Sequence, residues 1–503
     1  MNRWMRRTFA ALFACLLFPA WAAAGLPEDI ERAIRTTDLG GAAVGVSVRE
    51  AGPGTPLAEL DAETPLIPAS NMKLLTTGAA LHTLGEGFSF HTQLLLDGDR
   101  LIVVGDGDPA FGDPDLLADM KSAEGAGLDV EGFLDLWVQP VVQAGVERIC
   151  ELLVDDRVFD REFVHPTWPR DQLNRRYCAQ VAGLSFHLNV LHFYPKPRPG
   201  QRPSLHDVLP KVDWMQIRNQ ATSRDGVHDQ NDVWIARRIG TNELIFYGNV
   251  KHPYRTNPVP VTIHDVPDFF ATLLADRLRK AGIDVQTTGV VEPDAPASDG
   301  RLIAPVIYTP ISTIVTRCNR DSENLYAECL LKRMGHALTG QPGSWLNGAA
   351  IVRHVVHERL DDPALSSLLA VADGSGMSRD DRIAPALLTA WLNSFHNDER
   401  LGAIFLDSLA VGGESGTLSR NRPGLQTSRL DGAIVQAKSG YINGVSCLSG
   451  YVTASDGRRR CFSIMVNDLK APVRRAKDLQ ADIVRMIALD MTETEVPAQL
   501  GGG

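Results

Sequence analysis

Leu66-Ile67-Pro68-Ala69-Ser70-Asn71-Met72-Lys73-Leu74-Leu75-Thr76-Thr77-Gly78-Ala79-Ala80-Leu81 sets one serine and one lysine, three positions apart, in a largely apolar run. Met72, Leu74, Leu75, Ala79 and Leu81 predict a helix with an apolar side after Pro68. Ser70 opens that helix, at the positive end of its dipole. Lys73 stands one turn on, so its amine reaches the Ser70 hydroxyl. A serine hydroxyl is a poor nucleophile until a neighbouring base takes its proton. Lysine is such a base only when burial and a second cation depress its pKa. An isolated serine–lysine pair of this kind is an N-cap beside a surface lysine; the apolar residues on both sides argue against a surface location here.

Reading outward, Val44, Val46 and Val48 alternate as on a half-buried strand, and Gly52-Pro53-Gly54 marks a turn. Toward the other end come three strand-like runs, Ile434 to Lys438, Val445 to Val452 and Cys461 to Val466, with Asp456-Gly457 as a hairpin signal. A last helix follows Pro472, striped by Ala476, Leu479, Ile483 and Ile487. Strands and helices at both ends imply one α/β domain assembled from residues 25–93 and 304–495. Between them, residues 94–303 carry short strand-like pieces among many Gly, Pro and Asp residues. This stretch reads as an inserted, mostly β region of roughly 200 residues, within the usual size of one or two small domains.

Two further short motifs accompany Ser70-Asn71-Met72-Lys73. Lys438-Ser439-Gly440 ends a strand-like run. A cation, a hydroxyl and a glycine there suit a terminal carboxylate with a substrate backbone close alongside. Lys438 is also the candidate second cation, and the backbone N–H groups of Ser70 and Tyr441 are candidates for an oxyanion hole. A plain hairpin connection suits this motif equally well. Ser322-Glu323-Asn324 precedes a helical pattern at Leu325, Tyr326, Cys329 and Leu330. Its hydroxyl is placed to relay a proton, and its amide to orient Lys73 or a substrate carbonyl. Without context it is an ordinary helix start. A second S-x-N, Ser419-Arg420-Asn421, lies in a polar loop and ranks lower.

These motifs, in this order, are the set found in penicillin-binding proteins and β-lactamases. The chain resembles the type C low-molecular-mass penicillin-binding proteins, the D-Ala-D-Ala carboxypeptidase/endopeptidase family. The resemblance extends through Gly105-Asp106-Gly107-Asp108-Pro109, Asp155 to Phe159, Trp168-Pro169, Tyr177-Cys178-Ala179 and Asp373-Gly374-Ser375-Gly376-Met377-Ser378-Arg379. It implies an antiparallel sheet flanked by helices, interrupted by a long insertion. It implies Ser70 as acylated nucleophile, Lys73 as base, Ser322 and Asn324 as relay and positioning groups, and Lys438 with Ser439 and Gly440 as carboxylate binders. Asp155 and Arg379 match residues that hold the far end of a stem peptide in that family. Ser439 replaces the family's usual threonine, and Tyr441-Ile442 stand where it has small or aliphatic residues. The implied partners are peptidoglycan stem peptides and β-lactam antibiotics, with no cofactor. A β-lactamase shares the acylation machinery, but its first two motifs lie much closer together. A non-catalytic wall-binding protein would not need the intact Ser70/Lys73 and Lys438/Ser439 pairs.

Composition narrows the alternatives. A formal charge of −11, with no basic run longer than Arg458 to Arg460, argues against nucleic acid. Arg3, Arg6 and Arg7, the apolar run Phe9 to Phe18 and Ala22-Ala23-Ala24 read as an export signal over residues 1–24, so a periplasmic enzyme without a stable membrane anchor is expected. Of seven cysteines, six remain after such a leader is removed, which permits disulfides; Cys150/Cys178 and Cys318/Cys329 are the plausible local pairs. Asp106, Asp108, Asp113 and Asp115 supply oxygen ligands but not EF-hand spacing, so turns are expected there rather than a metal site. His354, His357 and Glu358 do not follow the H-E-x-x-H order and read as helix-surface residues.

Overall fold

The valine alternation at 44, 46 and 48 becomes the strand Ala43–Glu50, which pairs with Arg459–Asn467 on one side and Pro56–Leu60 on the other. The structure, a computed structural model, describes residues 25–120, 127–224, 231–419 and 422–493; the leader-like segment and Asn421 lie outside the described residues. The two chain ends meet in one antiparallel sheet of six strands, in the order 410–411, 434–442, 445–453, 459–467, 43–50 and 56–60.

Both faces of that sheet are covered. Val46, Val48, Phe462 and Ile464 share a core with Ala476, Leu479, Ile483 and Ile487 of the last helix, Val473–Glu493. On the opposite face, Ser47 Oγ meets Thr389 Oγ1 at 2.8 Å, and Tyr451 donates its hydroxyl to Leu392 O at 2.7 Å, both from the helix Pro385–His396. The helix after Pro68, Met72–Leu84, is buried more deeply than its sequence pattern suggests. Every residue from Met72 to Leu81 is buried, so it is a central helix and not one with a single apolar side.

The strand Ser89–Asp97 runs through position 94 into a second sheet, ordered 284–290, 148–155, 100–104, 89–97 and 301–302, to which 307–310 adds along 89–97. Its first two pairings are parallel and the rest antiparallel. The helices Val130–Gln143 and Val266–Lys280 share a core with this sheet. Phe90, Phe159, Trp168, Cys178 and Val190 belong instead to the core around the central helix, so the middle of the chain is knitted into the first unit.

The expected disulfides do not form: all six described cysteines are free thiols. Cys150 lies half-buried on the strand Arg148–Asp155, whereas Cys178 is buried with its sulfur 3.9 Å from Met377 Sδ. Cys329 faces Ser185 Oγ at 4.0 Å, and burial pushes the Cys318 thiol up to about 12. The four aspartates from 106 to 115 are each engaged. Asp106 pairs with Arg333, Asp108 accepts from Thr309, and Asp113 and Asp115 pair with Arg317.

Candidate active site

The central helix begins after a tight turn, Ala69–Asn71, in which Ala69 takes φ 46°. A non-glycine residue there is strained, and the strain sits directly before the candidate nucleophile. Lys73 Nζ is 3.0 Å from Ser70 Oγ, 2.7 Å from Asn324 Oδ1 and 2.9 Å from the Ser375 carbonyl. The lysine is fully buried, and burial lowers its pKa against the opposing pull of nearby acidic groups. No ion pair partners it among the described contacts, so its neutral form is accessible.

Lys438 lies inside the strand Ile434–Ile442, which continues past the motif instead of ending at it. Its Nζ donates to Ser322 Oγ at 2.8 Å and to the Ser439 carbonyl at 2.9 Å. Burial depresses its pKa strongly, and the charge of Lys73 depresses it further. Ser322, at φ 67°, is a second strained non-glycine residue, placed between the turn Arg317–Asp321 and the helix Asn324–Thr339. Ser70–Lys73–Asn324 and Ser322–Lys438 are thus two hydrogen-bonded chains.

The strand also explains its glycine. A Cβ on Gly440 would stand 2.8 Å from Pro68 O and 3.1 Å from Ser70 N, so only glycine lets this strand pass the serine turn so closely. The neighbouring strand Ala410–Val411 pairs with Ala437 and Gln436, and among the described residues no strand pairs with that edge from Lys438 to Ile442. An open edge of this kind accepts an extended peptide backbone. Ser439 Oγ donates to Thr417 Oγ1 at 2.9 Å. Tyr441 is 58% exposed, a large side chain standing free beside the motif.

Arg379 is exposed and donates to the carbonyl of Asn443, in the turn after the motif strand. Asp155 hydrogen-bonds none of these residues among the described contacts. Arg157 grips both of its oxygens, at 2.8 and 2.7 Å, and Ser298 Oγ adds a third bond at 2.7 Å. Burial would raise its pKa, but the Arg157 and Ser298 hydrogen bonds outweigh burial and hold the carboxyl below its usual range. It is neither a free acceptor for a substrate ammonium nor a solvated turn carboxylate.

Several residues at the site escaped the sequence reading. Arg176 pairs with Glu323 at 2.5 Å, and the Tyr177 carbonyl accepts from Asn324 Nδ2 at 2.9 Å, so the 3-10 turn Arg176–Cys178 clamps the second motif. Thr417 and Glu328 complete the surroundings. Arg176, Thr417 and Glu328 stand in none of the quoted motifs, though Glu328 is four residues after Asn324 and so on the same helix face.

A D-alanyl-D-alanine carboxypeptidase from Actinomadura sp. (strain R39) is 29% identical over 471 residues, 89% of this chain and 82% of that protein. The D-alanyl-D-alanine carboxypeptidase DacB of Haemophilus influenzae is 24% identical over 457 residues, 88% of this chain and 89% of its own length. In three dimensions, the crystal structure of penicillin binding protein 4 from Haemophilus influenzae matches with a TM-score of 0.72 at 20% identity, covering 92% of this chain and 99% of that one, which establishes the fold. Residues 26–488 match the family described as D-Ala-D-Ala carboxypeptidase 3 (S13). The chain belongs to the D-Ala-D-Ala carboxypeptidase 3 (S13) family and is a D-Ala-D-Ala carboxypeptidase.

Proposed function

We propose that this enzyme cleaves the terminal D-Ala-D-Ala bond of peptidoglycan stem peptides through an acyl-enzyme on Ser70, with Lys73 as base. The observation that carries the reading is the buried Lys73 amine, within hydrogen-bond reach of Ser70 Oγ and Asn324 Oδ1 at once. Ser70 Oγ attacks the penultimate carbonyl carbon and gives its proton to neutral Lys73. The developing oxyanion is met by the backbone N–H groups of Ser70 and Tyr441. Ser322 relays a proton to the departing amine, whose C–N bond breaks to free D-alanine. Lys438 and Ser439 hold the terminal carboxylate, with Thr417 orienting the Ser439 hydroxyl. Water then attacks the ester, returning Ser70 and releasing the shortened peptide. When the amine belongs to a cross-linked side chain, the same steps are endopeptidase action.

The exposed Arg379 and Tyr441 are the groups we assign to the rest of the stem peptide. Asp155 takes part only if a substrate ammonium displaces Arg157. The leader-like segment and the location of the substrate together support export to the periplasm, with residues 94–303 inserted in the catalytic unit.

Mixing the protein with benzylpenicillin and weighing it by mass spectrometry tests the assignment. A lasting adduct is expected on the wild type and none on Ser70→Ala, with thermal unfolding nearly unchanged because one hydroxyl is lost. An adduct that persists on the variant and maps to another serine would sink it, and rapid antibiotic hydrolysis without an adduct would favour a β-lactamase.

A further inference from the structure

Glu328 lies on the helix Asn324–Thr339, one turn beyond Asn324, and is fully buried. Where Asn324 touches Lys73 directly, Glu328 reaches behind it to the loop 373–376. Its Oε2 accepts from Gly374 N at 2.9 Å and from Trp345 Nε1 at 2.8 Å, and its Oε1 accepts from Ser375 N at 2.8 Å. The carbonyls of the same two loop residues face the opposite way, onto the central helix. Gly374 O accepts from Thr76 Oγ1 at 2.7 Å, and Ser375 O accepts from Lys73 Nζ at 2.9 Å. The loop is therefore a two-residue strap, with its amides on one carboxylate and its carbonyls on the helix that carries the base.

The far side of the strap is held as firmly. Asp373 accepts from Gly376 N at 2.7 Å, Ser378 N at 2.7 Å and Trp168 Nε1 at 2.8 Å. Gly376, at φ 78°, leaves no room for a side chain, since a Cβ there would meet Ala69 O at 1.8 Å. The Ser375 carbonyl consequently has little freedom except through Glu328.

We infer that Glu328 is a positioning residue for the reaction: its carboxylate sets the Ser375 carbonyl that aims Lys73 at Ser70. This rests on the reading of Lys73 as base. Three N–H groups converge on the carboxylate, and a side chain that left them unpaired would let the strap shift. The groups that interact with Glu328 electrostatically are Asp373 from the loop, Lys73 from the central helix, Cys329 and Lys332 from its own helix and Cys318 from the preceding turn. Burial, and then the charge of Asp373, push the Glu328 carboxyl up to about 7. Its negative charge in turn raises the pKa of Lys73, opposing the effect of burial. Glu328 thus couples the geometry of the base to its proton affinity.

The sign of this coupling makes a test possible. Glu328→Gln keeps the shape but removes the charge and turns an amide toward a loop N–H. Glu328→Asp keeps the charge but shortens the reach. The rate of benzylpenicillin acylation is measured from about pH 5 to 10, on both sides of the raised Glu328 carboxyl, with melting temperatures to verify folding. Glu328→Gln is expected to be slower by roughly tenfold or more, with the acid limb of its profile moved to lower pH, because Lys73 then loses its proton more readily. Glu328→Asp is expected to be slower with the limb in place. Wild-type rate and limb in Glu328→Gln would overturn the proposal. So would equal slowing of both variants with neither limb moved, which would leave Glu328 a packing residue. The wild-type adduct on Ser70 is mapped first; its absence would remove the base itself, and this proposal with it.

Discussion

Lys73 and Lys438 show at single-residue scale how burial lowers the pKa of a lysine in this fold. Both are completely buried, and both have acceptors that are neutral oxygens rather than carboxylates. An ammonium there loses its water and gains no counter-ion in contact, so its pKa falls. Asp155 follows the opposite logic, since its carboxylate sits in a fork-to-fork pair with Arg157. Asp155→Ala should lower unfolding free energy by about 1–3 kcal/mol, the worth of hydrogen bonds to a charged group. The loss should be complete above the unfolded carboxyl pKa of about 3.9 and fade as pH falls through the lowered folded value. Urea unfolding at pH 7 and pH 3 measures both. Benzylpenicillin acylation should barely change; a large acylation defect in a stable variant would return Asp155 to the site.

Two neighbouring elements divide the work of placing the second motif. The helix Asn324–Thr339 carries Asn324, while the 3-10 turn Arg176–Cys178, from the middle of the chain, holds Asn324 and Glu323 from outside. The Arg176 side chain is about one-third exposed, so the ion pair contributes little to global stability. Its effect is on geometry, because it seats the turn whose Tyr177 carbonyl receives the Asn324 amide. Arg176→Ala should therefore slow acylation by roughly 3–10-fold, equivalent to under 1.4 kcal/mol, with the melting temperature nearly unchanged. A variant acylating at the wild-type rate would show that the turn is held by its packing alone.

Across the whole molecule, the short helix Pro114–Asp119 after the strand 100–104 and the turn before Ser322 are locked together by charge. Arg317 reaches across to Asp113, at 2.9 Å, and to Asp115, while also bonding Asp321 in its own turn. Tyr326 donates to the same Asp113 at 2.5 Å. Asp113 is wholly buried, so Asp113→Ala leaves a largely buried guanidinium and a buried hydroxyl without their main acceptor. The expected destabilisation is about 3 kcal/mol, the low end for breaking a buried pair because Asp115 and Asp321 remain. Acylation should slow as well, since Arg317 begins the turn that leads into Ser322. Calorimetry alongside acylation rates measures both effects, and a variant as stable as the wild type would count against this lock.

Local periodicity was enough to determine the strands near both chain ends, the last helix and the one-turn spacing of Ser70 and Lys73. These depend on residues within a few positions of one another, and their patterns survive in the chain itself. The order of the three motifs was legible too, and with it the family. Tertiary structure decided what depends on distant partners. Lys73 lies 302 positions from the Ser375 carbonyl and 251 from Asn324, and nothing local in the chain forecasts the strap that Glu328 holds. The same physics overturned the expected disulfides and gave Asp155 a partner within the chain. The described cysteines are thiols, and the sulfurs of Cys178 and Cys329 face Met377 Sδ and Ser185 Oγ, residues distant in sequence. Asp155, buried at the end of its strand, is held by a partly exposed arginine two residues away, because a buried carboxylate takes a cation it can reach.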